Sequence, residues 1–390
     1  MDNKKATVVV LGGGIGGLVT ASLLKDKLKE DIISLKLIER KKTFDFPPSY
    51  PWLMLWTRKQ EQVQKDLNLL RKKKKIEVLN DEVLSIDIEG KSVLTKSSGK
   101  LPFDYLVVAL GAGYSIQAIP GLSEYAQHIY DLESALKFKE AVEKFNGGTV
   151  AVGISRTPFK CPAAPYEVAL LLDDYYRKKG IREKIKFDFF TPESIPVPAV
   201  GPDIGNKVLE LLKSRGINYH PKLKVKEIKS NELIFVESEE KISYDMLFCV
   251  PPHVAPKPVV EAGLTDESGW IPVNSKTLET KHKGIYAVGD VASIATPNGY
   301  TPFLPKAGVF AHGQAEVVAN NLAAEIKGRG KPKEWSGEGA CFLEVGKGQS
   351  AYVKGTFLAE PKPEIEFHMP WKVWHMEKVA FEKYWMHHWF

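Results

Sequence analysis

Cysteine is scarce in this chain of 390 residues: there are three, at positions 161, 249 and 341. Three cannot build the disulfide framework of a small secreted scaffold, they leave room for one intramolecular bridge at most, and their spacing fits no zinc motif, so no metal site is expected. Charge of one sign is not in excess either. Lys and Arg total 54 against 48 Asp and Glu, a net charge of +6. That is too little to argue for a nucleic-acid partner without a clustered patch, and the one basic cluster, Arg71 to Lys75, reads as a solvated helix end. No window approaches the roughly 18 uninterrupted apolar residues of a spanning helix, so any membrane contact would be peripheral. The polar run Met1 to Lys5 leads straight into a strand, without the tripartite pattern of an export signal, and a cytoplasmic protein is expected. What is present is ordinary in amount: 44% hydrophobic and 26% charged residues place the chain among soluble globular proteins, and its length asks for two domains or more.

Ala6 to Leu11 is a β-branched run that breaks into Gly12-Gly13-Gly14-Ile15-Gly16-Gly17 and continues as the helical pattern Leu18 to Leu28. Gly12, Gly14 and Gly17 hold the places for a tight turn, for close approach of backbone to a pyrophosphate, and for close helix-to-strand packing. A second strand, Leu35 to Ile38, ends at Glu39, 22 residues past Gly17, where a carboxylate would accept hydrogen bonds from a ribose. Strand, turn, helix and terminal acid together point to dinucleotide binding.

Tyr105 to Gly113, with a glycine turn at Gly111, and Gly284 to Asp290 are two more buried strands running into turns. They resemble the segments that flank FAD in flavin disulfide reductases with two dinucleotide-binding domains. The resemblance implies that Asp290 reaches the ribityl and pyrophosphate region; a helix N-cap before Val291 to Ile294 is a compatible role. Gly148 to Ile154 starts another strand and turn, where NAD-linked members of that architecture carry a second glycine fingerprint. Here Ser155 and Pro158 stand in place of the second and third glycines, so Cβ atoms block the approach, Pro158 removes an N–H, and nicotinamide binding is not expected. Lys186 to Phe190 and Met246 to Val250 still read as buried strands, and Val208 to Leu212 as an amphipathic helix.

Cys161 lies just beyond the degenerate turn, ahead of a helix whose N-terminus would favour thiolate. Cys341 lies 180 residues later, and Cys249, inside an apolar strand, is most simply a small buried hydrophobe. Composition does not pair the first two, and both could be ordinary packing residues. The strings Lys160 to Glu167, Val250-Pro251-Pro252-His253, Pro302 to Gly308 and Lys378 to Tyr384, however, resemble sulfide:quinone oxidoreductases over nearly the whole chain. That resemblance implies a redox bridge between Cys161 and Cys341 beside a flavin, attacked by sulfide, with the electrons passed on to a membrane quinone near Phe342, Phe381 and Tyr384. The third cysteine common in that family is absent, Ile129-Tyr130 standing there. The two-cysteine set is also similar to the flavoprotein subunit of flavocytochrome c sulfide dehydrogenase, but the cysteine that tethers flavin there has no counterpart in Lys41 to Tyr50, so FAD should be non-covalent. Lys306, before the helical pattern Ala307 to Asn321, is a candidate to stabilise negative charge on the reduced flavin, or else a solvated lysine. Glu167 is either a proton carrier beside an apolar pocket or a surface helix residue.

Five of the eight tryptophans fall at 335, 371, 374, 385 and 389, a shift in composition that marks a separate tail. Trp371, Trp374, Phe381, Trp385 and Trp389 share one helical stripe with Lys378. Such a stripe either docks on the core or lies at a bilayer interface, and its aromatic content favours the interface. The expected fold is therefore α/β, with two Rossmann-like dinucleotide-binding domains plus a C-terminal amphipathic membrane-interface segment. An FAD domain would span 1–112 and 265–334, a degenerate second domain 113–264, and the quinone and membrane segment 335–390. The protein would sit peripherally on the cytoplasmic side of the cell membrane, with homo-oligomer formation left open. Two rivals remain: a type II NADH:quinone oxidoreductase, and a flavin-bearing sulfur-transfer subunit that docks on a partner.

Overall fold

In a computed structural model the chain is described from residue 5 to 390, so the polar run expected from Met1 lies outside the described residues as far as residue 4. The β-branched strand Ala6–Leu11 is the middle of a five-stranded sheet in the order Ile285–Ala287, Tyr105–Val108, Ala6–Leu11, Ile33–Ile38, Glu77–Leu79. All its pairs are parallel, which accounts for the unbroken apolar runs: a parallel sheet is covered on both faces. One strand comes from far along the chain, so this sheet is closed by residues on the other side of a long insertion. The helix Ile15–Lys27 packs against the helix Gly308–Lys327. The contact is close because Gly308 faces Ile15, with room for no Cβ without displacing that side chain.

The insertion carries a second parallel sheet, in the order Ile217–His220, Ile185–Phe190, Gly148–Ile154, Met246–Val250. Cys249 sits fully buried in its last strand, as its apolar neighbours require. The helices Leu132–Lys144, Ala164–Lys178 and Pro202–Ser214 accompany it.

The tail is an antiparallel sheet of Glu338–Gly346, Gln349–Thr356 and Glu364–Trp371, followed by the helix Lys372–His388. Its aromatic stripe does not stay on one side. Trp385, Trp389 and Phe390 are buried in the same core as Val8 and Leu18, with Trp385 stacked 4.8 Å from Phe44. Trp371, Phe381 and Tyr384 are exposed together with Met369 and Met376. The stripe is therefore divided into a docked part and an exposed part: Phe44 and Phe46 cover its C-terminal end and Trp52 meets His375 and Lys378, while Trp371, Phe381 and Tyr384 are left exposed. Among the described residues no helix is long and apolar enough to cross a membrane.

Candidate active site

The first glycine turn meets its structural demands. Gly12 has φ +97°, and a Cβ there would lie 2.3 Å from the Ala109 carbonyl oxygen; a Cβ on Gly17 would collide with the carbonyl of Gly12. Gly14 and Gly111, by contrast, face open space, which is the clearance a bound pyrophosphate needs. Glu39 stands at the lip of this turn, its two carboxylate oxygens accepting from the Gly13 N–H at 2.7 Å and the Lys41 N–H at 2.9 Å. Asp290 is not a helix N-cap: it sits inside the short turn Gly289–Val291, which runs on into the strand Ala292–Ser293. That turn is pinned by Gln314, whose side-chain oxygen accepts from the Gly289 N–H at 2.7 Å; a glutamine in a helical run carries no motif that would have singled it out. An open glycine cradle, a carboxylate at its edge and a second turn facing it fit a dinucleotide cofactor.

Lys306 is buried rather than solvated. Its ammonium donates to the carbonyl oxygens of Asp290 at 2.6 Å and Ala292 at 3.2 Å, and lies 3.6 Å from the centre of the Trp270 ring. Burial, opposed by the Asp290 charge, brings its pKa down to about 8. The backbone carbonyl of Lys306 accepts from the Cys161 N–H at 2.7 Å, which ties the first cysteine to the start of the helix Gly308–Lys327.

Cys161 has φ +54°, three residues ahead of the helix Ala164–Lys178. The strand Glu338–Gly346 packs on this helix and brings Cys341 and Glu344 to it. Cys161, Cys249 and Cys341 are free thiols. The helix N-terminus does not make Cys161 a resting thiolate: burial pushes its pKa well up, reinforced by the charges of Cys341 and Glu167 and opposed by Lys378. Cys341 is pushed up to about 11 by burial and by Glu167, against Lys378 and a backbone hydrogen bond. Glu167 and Lys378 thus act on both thiols, whereas Cys249 is buried in a different core cluster from Cys161.

Glu167 is buried, which excludes the surface alternative. Its Oε1 accepts from Lys378 Nζ at 2.8 Å and from the Glu344 N–H at 2.9 Å. Burial raises its pKa, with Lys378 holding it back. Lys378 is the lysine inside the aromatic stripe; a lone cation in an apolar stripe was the one legible sign of this pair.

A cavity of about 560 Å³ opens beside Cys341, lined mostly by apolar groups including Phe342, Val197, Ile204, Phe303 and Phe367. The three aromatics expected at a quinone do not meet. Phe342 lies 5.1 Å from Tyr352, Phe381 lies 6.1 Å from Phe46, and Tyr384 stacks on His388.

The degenerate turn is sealed by its own side chains. Ser155 is buried and donates from its hydroxyl to the Val250 carbonyl at 2.5 Å, and Arg156 bonds the carbonyls of Ser155 and Val225.

Two Rossmann-like halves, one open glycine cradle and a thiol pair between them define a flavoprotein oxidoreductase of the two-dinucleotide-domain class. The family described as pyridine nucleotide-disulphide oxidoreductase matches residues 6–316, and the chain belongs to it. The chain is 29% identical over 397 aligned positions to the sulfide-quinone reductase of Aquifex aeolicus, covering 97% of this chain and 90% of that protein. The crystal structure of the sulfide:quinone oxidoreductase from the same bacterium superposes with a TM-score of 0.88 at 27% identity, over 98% of this chain and 90% of that one. A type II NADH:quinone oxidoreductase from Staphylococcus haemolyticus is 25% identical over 84% of both chains. FAD is bound without a covalent tether, the three cysteines all lying away from Lys41 to Tyr50.

Proposed function

We propose that the protein oxidises sulfide and passes the electrons to a quinone. The observation that carries this reading is the placement of the half-buried Cys161, just ahead of the helix Ala164–Lys178, and of the half-buried Cys341, on the strand packed against that helix, together with the buried Glu167 and Lys378 ion pair. FAD, when bound, supplies two-electron storage between a sulfur donor and a quinone. Gly12, Gly14, Gly17, Glu39, Gly111 and Asp290 would hold it, with Lys306, bonded to the Asp290 carbonyl ahead of the helix Gly308–Lys327, supplying positive charge near the reduced flavin. Residues 1–112 with 265–334 form its domain, 113–264 the degenerate one, and 335–390 the tail.

Cys161 and Cys341, free thiols in this structure, would first be joined in a bridge by giving up two electrons and two protons, with the quinone as the final oxidant; sulfide, as HS⁻, then attacks one sulfur of that bridge. A new S–S bond forms, the bridge breaks, and the partner cysteine leaves as thiolate. The apolar cavity beside Cys341 excludes water from the persulfide. Anaerobic mixing with sulfide should bleach the flavin, and a soluble quinone should restore its colour. Fast bleaching by NADH together with none by sulfide would overturn the reading in favour of a type II dehydrogenase. A stable hetero-complex without quinone reduction would favour the docking subunit.

Peripheral attachment to the cytoplasmic side of the membrane is assigned to the exposed set Met369, Trp371, Met376, Phe381 and Tyr384. Their aromatic and thioether groups suit a bilayer interface. Replacing Trp371, Phe381 and Tyr384 by Ser should release the protein from sedimenting vesicles while leaving its melting temperature unchanged; wild-type sedimentation of that variant would remove the assignment.

A further inference from the structure

The basic run Arg71 to Lys75, read from the sequence as a solvated helix end, does not stand apart from the tail. It closes the helix Asn68–Lys74, and Lys74 Nζ lies 5.3 Å from the centre of the Trp389 ring. Trp389 meets His388 edge-on at 4.9 Å, and His388 stacks on Tyr384 at 5.0 Å. An unbroken series of contacts thus leads from the basic cluster to the exposed aromatic face of the tail helix. Arg71, Lys72, Lys73 and Lys75 are exposed. Among the described residues no cation of this run lies within salt-bridge distance of a carboxylate, whereas Lys25, Lys36 and Lys41 of the same domain each hold one, at 3.1, 3.9 and 2.9 Å. The tail helix adds Lys372 and Lys383, both exposed, against Glu377 as its exposed acid.

We propose that Arg71 to Lys75 and the exposed face of the tail helix form one docking surface for a bilayer rich in anionic phospholipid. The proposal deepens the peripheral attachment proposed above and rests on it: that reading supplies apolar groups for the acyl boundary, and this one supplies charge at the level of the headgroups. Phe381 and Tyr384, once seated at the interface, bring the neighbouring cations within a Debye length of the lipid phosphates, about 8 Å at physiological salt, where each adds a similar favourable increment. The cluster is free to act there because no carboxylate of the described residues neutralises it. A nucleic-acid duplex would match the charge but would leave the exposed Phe381 and Tyr384 in water, so a lipid surface is the occupant that covers both halves of the patch.

The test measures partition of the holoenzyme onto sedimenting vesicles of phosphatidylcholine alone and of phosphatidylcholine mixed with phosphatidylglycerol. The unaltered protein should bind the anionic vesicles more tightly, and that preference should fall as salt is raised. Arg71→Gln combined with Lys72→Gln and Lys73→Gln should lower binding to the anionic vesicles by roughly a hundredfold. The same variant should keep its binding to the neutral vesicles, its melting temperature and its flavin bleaching by sulfide. Equal binding of the unaltered protein to both vesicles, wild-type binding of the triple variant to the anionic ones, or tighter binding to a DNA duplex than to anionic vesicles at equal phosphate concentration overturns the charged surface and leaves attachment through the aromatic groups in place. Binding of the unaltered protein to neither vesicle overturns both.

Discussion

The two Rossmann-like halves differ at the same two places. In the first, three residues, 12–14, separate strand from helix, and the acid beyond the neighbouring strand, Glu39, is held by backbone amides at an open cradle. In the second, nine residues, 155–163, separate strand from helix. The acid beyond its neighbouring strand, Glu193, lines an apolar cavity with the Tyr166 hydroxyl 3.1 Å away. Burial, opposed by the hydrogen bonds of Tyr166 and Thr191, raises that carboxyl to about 7. The sheet is kept and the glycine pattern of the turn is not. A parallel sheet needs only apolar strands, whereas a phosphate cradle needs bare backbone at particular positions, so the sheet tolerates the substitutions that the cradle does not. The longer connection is what leaves room for Cys161.

The sharpest test of the comparison lies in that connection. Cys161→Ser and Cys341→Ser should each lower the rate of flavin bleaching by sulfide by roughly a thousandfold or more with flavin still bound, while Cys249→Ser should be nearly silent; rapid-mixing spectra decide it, and a bridge variant with a wild-type rate would break the assignment. Next in size, Gly12→Ala should yield protein purified largely without flavin, because the new Cβ meets the Ala109 carbonyl. Giving the second turn its glycines back, in Ser155→Gly with Pro158→Gly, should not create NADH oxidation, since the connection stays long; an absorbance ratio and an NADH assay read the two outcomes.

The two acids should respond in opposite ways. Glu39→Gln should weaken FAD retention by roughly tenfold, the order expected for losing charged acceptance of two amides, measured as flavin content after dialysis. Glu193 has a raised folded pKa, so its contribution to stability is full below about pH 4.5 and is lost as pH rises through 7. Glu193→Gln should therefore raise stability at pH 8 by about 1–2 kcal/mol and leave it unchanged at pH 4. Urea midpoints at the two pH values check this, and equal shifts at both would mean that Glu193 stays charged in the folded state.

Local pattern carried much of the architecture. The glycine turn, the strands Tyr105–Val108 and Met246–Val250 and the helix around Val208 to Leu212 follow from periodicity and punctuation that neighbours along the chain enforce. Two local inferences needed the tertiary environment to complete them. A helix N-terminus favours thiolate only while water shares the site, and burial at Cys161 outweighs it. An aromatic stripe says that a helix has an apolar side, but not which part of that side finds a partner, and Phe44 and Phe46 cover only its end.

By itself the sequence determined that Gly12 to Gly17 form a tight strand-to-helix turn of bare backbone and that Ser155 and Pro158 break the same glycine pattern in the second half, because turn chemistry acts over a few consecutive residues and can be read from them. The tertiary structure alone decided that Glu344, 177 residues from Glu167, donates its N–H to that carboxylate, that Lys378 pairs with Glu167, and that His375 meets Glu344. Those contacts lie between segments distant along the chain, where no local period constrains the pairing and only the docking of the tail on the second-domain helix brings the charges together.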